Sequence, residues 1–380
     1  MTAVHVATWV LLRPLVRLFL FLKFGYRSEK PTNLPDNYIV LSNHATNFDP
    51  LFVAVAFPQM YFVASEHICR WGFVSKLMKF FLAPILRPKG SVASHTVKEI
   101  LQTLRGGKNV CLFAEGSCSW DGRPNPILPS TGKMVQKARC GMVTYRLMGG
   151  FFSQPRWGTC GTRKGYLRGA PVNVYTPEQL AAMSADEINE AIRRDLGEDA
   201  YDRQLTEPKR YKSGRTAEGL EYLMYTCPEC GGKETFRTHG DTVECTKCGL
   251  KFHYDEYGML DGIPFSTLRD YGIWQDGETE RDAEAGVSYT TDSGTLVRVA
   301  GGVASEIGRG LIKLGPDGIT CGDANVPLEQ ITELDIHSKN AIVFTADKAY
   351  YELSPEGNGY KYFQLYHHYT KALREAATVR

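Results

Sequence analysis

Long hydrophobic runs, a disulfide-type cysteine pattern, internal repeats and acidic residues in the first half are scarce or missing in this 380-residue chain. No uninterrupted apolar stretch approaches the roughly 20 residues a membrane-spanning helix needs. Residues 3–26 come nearest, but Arg13, Arg17 and Lys23 interrupt them. No small-residue cleavage site follows, which argues against a secretory signal. Ten cysteines are too few to scaffold a chain of this length. Four form two Cys-x-x-Cys pairs and six are scattered (Cys69, Cys111, Cys118, Cys140, Cys160, Cys321), a pattern that reads as a reducing compartment with one metal site. Residues 1–175 hold 22 Lys+Arg against 7 Asp+Glu, a net +15, whereas residues 176–380 hold 22 against 35, a net −13. The basic half suits an anionic partner: nucleic acid, anionic lipid or a phosphorylated substrate. Nothing in the composition signals wholesale disorder.

What is present begins with an amphipathic N-terminus. At about 100° per residue, Arg13, Arg17, Lys23 and Arg27 fall within an arc of roughly 120°, and Val, Leu, Phe, Trp and Ala cover the rest. Such a helix is expected to lie in a membrane interface, cations towards the headgroups and the Leu/Phe face among the acyl chains. Packing against its own domain is the competing expectation. A polar connector, 27–36, follows. Then strands alternate with helices: Asn37–Ser42, a helix starting at Asp49-Pro50, Gln59–Ser65, a helix over Gly72–Leu82, a helix over Ser94–Arg105, and Asn109–Ala114. Alternation of this kind predicts an α/β fold, a mixed sheet flanked by helices, with working residues at strand ends. After about 150 the pattern loosens into Gly/Arg/Pro-rich loops. Two helices are expected from Thr176-Pro177-Glu178 and from Ser184, where Ser184 and Glu187 form a capping box.

Three segments of the basic half carry chemistry. Asn43-His44-Ala45-Thr46-Asn47-Phe48-Asp49 lies on the turn after a strand. On a straight helix His44 and Asp49 would point about 140° apart. They meet only if the segment turns, and Asn43, Asn47 and Pro50 favour a turn. An Asp holding one imidazole nitrogen leaves the other to take a proton from an alcohol. Asp49 acting only as a helix cap is the alternative left open here. Ile85-Leu86-Arg87-Pro88-Lys89-Gly90 offers a planar guanidinium and an ammonium for phosphate oxygens. In Phe113-Ala114-Glu115-Gly116-Ser117-Cys118-Ser119 a buried strand ends in a carboxylate and a glycine.

Taken in this order, the three segments resemble the glycerophospholipid acyltransferase family over roughly residues 35–150. Its N-H-x-x-x-x-D motif is matched by Asn43, His44 and Asp49, and its second motif by Pro84, Ile85 and Arg87. Its F-P-E-G-T-R-S motif is matched by Phe113, Glu115, Gly116 and Ser119, with Ala114, Ser117 and Cys118 in place of Pro, Thr and Arg. Met142-Val143-Thr144-Tyr145 echoes the fourth motif without its Pro. The resemblance implies His44 and Asp49 as catalytic residues, and Asn43, Arg87, Lys89, Glu115, Gly116, Ser117 and Ser119 as substrate-binding. It implies an acyl group moving from acyl-CoA or acyl-carrier protein to a hydroxyl of a glycerol-phosphate lipid, foremost 1-acylglycerol-3-phosphate to phosphatidate. Transfer is expected to be direct, because a thioester is already activated and needs no protein nucleophile. Cys118 stands where the motif's Arg helps hold the acceptor phosphate. Another lysophospholipid or glycerol 3-phosphate is therefore an alternative acceptor, and Arg87, Lys89, Arg123 and Lys133 remain as phosphate ligands. A non-enzymatic zinc-ribbon adaptor is the alternative of a different class.

Cys227-Pro-Glu-Cys230-Gly and Cys245-Thr-Lys-Cys248-Gly read as two knuckles of a zinc ribbon, whose closed set of four thiolates marks a structural Zn²⁺. Residues 219–262 hold four Lys/Arg and eight acidic residues, the wrong sign for nucleic acid, so none is expected as a partner. From about 265 the chain reads as β-rich, with turns at Pro316-Asp317-Gly318 and Ala346-Asp347-Lys348 and a closing helix over Lys361–Ala376. Phe363, Tyr366, Tyr369 and Leu373 are its expected buried face. This end weakly resembles pleckstrin-homology-like domains. The expected organisation is a membrane-interface helix over 1–30, an acyltransferase domain over 31–222, a zinc ribbon over 223–262 and a PH-like domain over 263–380. The expected location is the cytoplasmic face of a membrane, peripheral or monotopic, with anionic lipid as a partner. The sequence does not indicate an oligomeric state.

Overall fold

The structure is a computed structural model that describes residues 3–58, 60–65, 84–87, 94–300, 303–347 and 349–378. The chain separates into two compact units, one of residues 1–156 and 161–213, the other of 157–160 and 214–380.

The first unit is built on a seven-stranded mixed sheet. Its strands are β1 (Tyr26–Ser28), β2 (Tyr38–Ser42), β3 (Tyr61–Ser65), β4 (Ile85–Arg87), β5 (Val110–Phe113), β6 (Gly141–Met148) and β7 (Leu167–Tyr175). The order is β1-β7-β6-β2-β5-β3-β4, and every neighbouring pair is parallel except β6 and β7. All five residues of β2 are buried, as expected of a strand covered on both faces. Its side chains alternate between two cores. Tyr38 and Val40 pack with Phe52, Phe57 and Tyr145, while Ile39 and Leu41 pack with Ile100, Leu104, Met134, Val135, Ile188 and Ile192. The second core is closed by helices α3 (Ser94–Arg105), α4 (Ser130–Ala138) and α7 (Ala185–Leu196), in chain order after α1 (Ala3–Phe24) and α2 (Asp49–Ala54), with α5 (Gly150–Ser153) and α6 (Pro177–Ala181) between and α8 (Ala200–Thr206) following. The expected capping box of Ser184 with Glu187 forms, and Thr176 makes a second one with Gln179. The expected helix over Gly72–Leu82 lies outside the described residues. Strand β7 was not legible, because its outer half is exposed and its Gly and Pro break the strand pattern.

Helix α1 corrects one expectation. Arg13 donates to the Phe57 carbonyl (3.0 Å) and Arg17 to Ser28 Oγ (2.8 Å), and Trp9, Leu20 and Phe24 on the same side are buried. The cationic stripe thus faces the domain, where guanidinium donors satisfy protein oxygens. Leu11, Leu15, Leu18 and Leu22 on the opposite side are exposed by 75%, 61%, 53% and 59%. No helix among the described residues is long and apolar enough to cross a membrane.

The second unit begins with a four-stranded antiparallel sheet, β8 (Phe236–His239), β9 (Thr242–Cys245), β10 (Lys251–Tyr254) and β11 (Leu260–Asp261). Two further sheets follow: one in the order β12 (Tyr289–Thr291), β15 (Ile312–Gly315), β16 (Gly318–Cys321) and β17 (Ala324–Pro327), the other in the order β14 (Val303–Arg309), β13 (Gly294–Ala300), β20 (Ala349–Pro355), β19 (Ala341–Ala346) and β18 (Thr332–His337). Both expected hairpin turns are present, joining β15 (Ile312–Gly315) to β16 (Gly318–Cys321) and β19 (Ala341–Ala346) to β20 (Ala349–Pro355), though Lys348 itself lies outside the described residues. The closing helix α10 runs Tyr360–Thr378 and buries Tyr362, Leu365, Tyr366 and Tyr369, with Phe363 only half-buried. Against expectation, the stretch after 265 is not all β. Helix α9 (Leu268–Glu284) occupies it, its first turn capped by Thr267 Oγ1 accepting from Asp270 N (3.0 Å). Gly272 and Gly277, poor helix formers, masked it in the sequence.

Candidate active site

Strands β2 and β5 pair in parallel, with Ser42 opposite Phe113. The loops leaving their C-terminal ends, 43–49 and 114–119, therefore emerge side by side, the usual place for a site in an α/β sheet. Ser119 N donates to the His44 carbonyl (3.3 Å) and Ala114 N to the Ser42 carbonyl (3.1 Å), which ties the two loops together.

His44 and Asp49 meet. The segment turns as expected, and His44 Nδ1 lies 2.8 Å from Asp49 Oδ2. Asp49 is 1% exposed and also accepts from Ala45 N (2.7 Å), Thr46 N (2.9 Å) and Thr46 Oγ1 (2.7 Å). It is the first residue of α2 and leaves that helix without a side-chain cap, so the capping alternative does not hold. The imidazole is 20% exposed and stacks on Phe113, ring centroids 4.6 Å apart. With Nδ1 on the carboxylate, Nε2 is the nitrogen left for chemistry. Burial pulls the imidazole down, but the charge interactions with Cys118 and the Asp49 carboxylate outweigh it and raise its pKa above the ordinary value.

Glu115 reaches back to His44. Its Oε1 accepts from His44 N (3.4 Å) and its Oε2 from Asn125 N (2.9 Å). Burial pushes its carboxyl up to about 7, although the Asn125 amide and His44 work in the other direction. Gly116 has φ +71, a left-handed conformation that turns the chain sharply after β5. A cleft lies over these groups, lined by Asn43, His44, Glu115, Ser119, Arg123, Gly149, Gly150 and Glu198, among others.

The other expected residues divide. Asn43 lines the cleft, but its amide is taken by the backbone: Nδ2 donates to the Leu147 carbonyl (2.8 Å) and Oδ1 accepts from Leu147 N (2.7 Å). It clamps the His44 loop to β6 instead of reaching for substrate. Ser119 Oγ donates to the Arg123 carbonyl (2.7 Å) and accepts from Gly122 N (2.9 Å), stabilising the turn. Ser117 Oγ accepts from Arg156 Nη1 (2.5 Å), and the Arg156 guanidinium stacks over Trp120 at 4.6 Å. Arg156 was not singled out from the sequence, since only the fold brings residue 156 to the loop after β5. Arg87 ends edge strand β4, with β3 and β5 between it and the strand that carries His44. Lys89 lies outside the described residues. Arg123 pairs with Asp121 through Nε (2.8 Å) and Nη2 (2.6 Å), and Lys133 is exposed on α4.

The cysteine pairs form a second, separate site. Cys227, Cys230, Cys245 and Cys248 place their sulfurs within 4.8 Å of one another. Cys227 and Cys248 are 3.7 Å apart and Cys230 and Cys245 3.8 Å, S to S. A tetrahedral Zn²⁺ with Zn–S of about 2.3 Å separates its sulfurs by about 3.8 Å, so the thiols fit the ion and are too far apart to be disulfides. Each knuckle closes through a glycine at positive φ, Gly231 (+65) donating to the Cys227 carbonyl and Gly249 (+78) to that of Cys245.

Residues 26–148 match the family model described as Acyltransferase, a span that contains both loops of the cleft. Among solved structures, the chain is similar to the crystal structure of the 1-acyl-sn-glycerophosphate acyltransferase PlsC from Thermotoga maritima, at 16% identity and a TM-score of 0.42, over 53% of this chain and 81% of that one. Comparison with curated proteins gave no match.

Proposed function

We propose, taking as premise that residues 26–148 are an Acyltransferase domain, that the protein moves a fatty acyl group from acyl-CoA or acyl-carrier protein to a hydroxyl of a glycerol-phosphate lipid. The observation that carries this is the His44–Asp49 contact of 2.8 Å at the floor of a cleft. His44 Nε2 takes the proton as the acceptor hydroxyl attacks the acyl carbonyl, and Asp49 fixes the ring and balances its charge. Such base help supplies about 10²–10⁴-fold, and alignment of both substrates much of the remainder.

The preferred acceptor is 1-acylglycerol-3-phosphate, giving phosphatidate. Cys118 in place of a motif Arg favours a second reading, in which another lysophospholipid or glycerol 3-phosphate is acylated. The exposed leucines of α1 support a peripheral or monotopic seat on the cytoplasmic face of an anionic membrane, with that face among the acyl chains. The four-cysteine ribbon holds structural zinc. One experiment tests the reading: acyl transfer from palmitoyl-CoA and palmitoyl-carrier protein to a panel of lysophospholipids and glycerol 3-phosphate on anionic vesicles. Phosphatidate formation from 1-acylglycerol-3-phosphate with the highest kcat/KM is expected. Preference for another acceptor supports the second reading, and no transfer to any acceptor overturns both.

A further inference from the structure

A glycerol-phosphate acceptor carries its free hydroxyl and its phosphate on the same short glycerol chain. A cation that holds the phosphate therefore has to share a cleft with the base. Besides His44, Arg123 is the one cationic residue among the described residues that line this cleft. The local sequence fixes it there. In Ser119-Trp120-Asp121-Gly122-Arg123 the chain passes through Gly122 at φ +94, a left-handed conformation open to glycine. Ser119 Oγ accepts from Gly122 N (2.9 Å) and donates to the Arg123 carbonyl (2.7 Å), while Asp121 Oδ1 accepts from Arg123 N (3.1 Å). The buried Asp121 then holds the guanidinium itself, its Oδ2 accepting from Nε (2.8 Å) and Nη2 (2.6 Å). The Ser119 N–H bond to the His44 carbonyl (3.3 Å) ties this turn to the loop that carries the base. The Arg123 side chain is 37% exposed, so an anion entering the cleft meets a fork already set in place. The two carboxylates of the lining are engaged by the protein's own donors. Glu115 accepts from His44 N and Asn125 N, and Glu198 from Arg203 Nε (3.1 Å) and Nη2 (3.3 Å).

We propose that Arg123 binds the phosphate of the acceptor, with Asp121 as the residue that positions its guanidinium. The proposal rests on the acyl-transfer reading given above and deepens it, since it assigns the group that recognises the acceptor's charge. Four cations were open from the sequence, and the fold separates them. Arg87 ends the edge strand β4, Lys133 is exposed on α4, and Lys89 lies outside the described residues, whereas Arg123 lines the cleft. Arg156 takes a different part. It donates to Ser117 Oγ (2.5 Å) and to the Cys118 carbonyl (3.3 Å) and stacks over Trp120, bracing the segment in which Cys118 stands. The phosphate is thus met from residue 123 and its turn, not from residue 118. Transfer itself stays direct. With the phosphate on Arg123, the acceptor hydroxyl gives its proton to His44 Nε2 as its oxygen attacks the thioester carbonyl. The ester C–O bond forms, the C–S bond to the carrier breaks, and the ring proton goes to the departing thiolate.

The test measures palmitoyl transfer by the full-length protein to the preferred phosphate-bearing acceptor of the panel above, from whichever donor supports turnover. The phosphate is held alike before and during attack. Arg123→Gln should therefore raise the acceptor KM about 10–10²-fold, the loss of a charge-assisted pair, with kcat and the donor KM within about threefold of wild type. Coenzyme A carries phosphates too, so the donor KM tells the two substrates apart. Arg123→Lys, which keeps the charge without the fork, should restore part of the loss. Asp121→Asn should raise the acceptor KM by a smaller factor with kcat held, and an unmoved KM in that variant would remove its positioning role. In the wild-type protein, phenylglyoxal should modify Arg123, read by peptide mass spectrometry, and glycerol 3-phosphate should protect it. This measurement decides the matter even if a variant fails to fold. The proposal is overturned by an acceptor KM within about threefold of wild type in Arg123→Gln, by a donor KM that rises as much, or by modification that glycerol 3-phosphate leaves unchanged. Protection without transfer to any acceptor would support the phosphate subsite and overturn the acyl-transfer reading, whereas neither protection nor transfer would overturn both.

Discussion

The His44 site and the four-cysteine site are both built at turns, yet they differ in what they leave open. Each cysteine knuckle is closed by its own backbone, and the four sulfurs face one another at the spacing a tetrahedral ion requires. Nothing is left over for a substrate. The His44 loop is held equally firmly, with Asp49 accepting four bonds and Asn43 clamped on Leu147, but the ring that results is presented at a cleft. Rigid support with one reactive edge exposed marks a site for chemistry, and the same rigidity turned wholly inward marks a site for stability.

Five experiments sharpen the contrast. The largest effect is expected from removing the metal. Structural zinc contributes on the order of 10 kcal/mol of apparent binding energy, so chelation, or Cys230→Ser, should unfold residues 214–380 while the cleft region keeps its structure. Limited proteolysis and calorimetry with and without chelator check this, and unchanged melting of that unit would remove zinc from the account. Next in size, His44→Ala should lower kcat at least about 10³-fold with a Tm within a few degrees of wild type, since the ring supports substrate chemistry more than packing. Asp49→Asn should lower both kcat and Tm, because an amide nitrogen would face donors that Asp49 now satisfies. Equal effects of the two variants on Tm would erase the distinction between reactive ring and structural carboxylate.

A smaller effect concerns Glu115, raised by burial from 4.5 to about 7. As pH rises from 4.5, the unfolded chain releases this proton first, so the folded state loses relative stability up to about pH 7 and stays lower above it. The full difference is roughly 3 kcal/mol. Glu115→Gln should therefore gain stability relative to wild type as pH rises between about 4.5 and 7, read from urea midpoints across that range. A pH-independent difference would mean that Glu115 keeps an ordinary carboxyl pKa. The smallest effect is expected on α1. Leu15→Ser with Leu18→Ser should weaken sedimentation with anionic vesicles several-fold and leave Tm within about a degree, because both side chains are already exposed. Unaltered sedimentation would exclude this face as the membrane contact.

Legibility followed distance along the chain. The cysteine pairs, the helix start at Thr176, the capping box at Ser184 and the turns at 316–318 and 346–348 are local, and each was readable because a few adjacent residues carry the whole physical reason. The His44–Asp49 contact was readable from one loop with turn-forming residues. Asn43 was assigned to substrate from its place in a motif, but a β6 backbone more than a hundred residues away claims its amide. Helix α9 hid behind two glycines, and α1 had the right periodicity with the opposite orientation. An amphipathic pattern gives two faces without saying which one the rest of the protein will cover.

By itself the sequence determined the α/β class, the residue types of the His44 turn and the four-cysteine set, since strand–helix alternation, an N-H-x-x-x-x-D turn and paired knuckles are fixed by neighbours within a few residues. Only the tertiary structure decided that the arginines of α1 turn inward and that Asn43 is a clamp. Those outcomes depend on segments far apart in sequence meeting in the folded unit, and on which oxygens remain unsatisfied when they do. Hydrogen-bond demand of that kind belongs to the assembled sheet and has no signature in either segment alone.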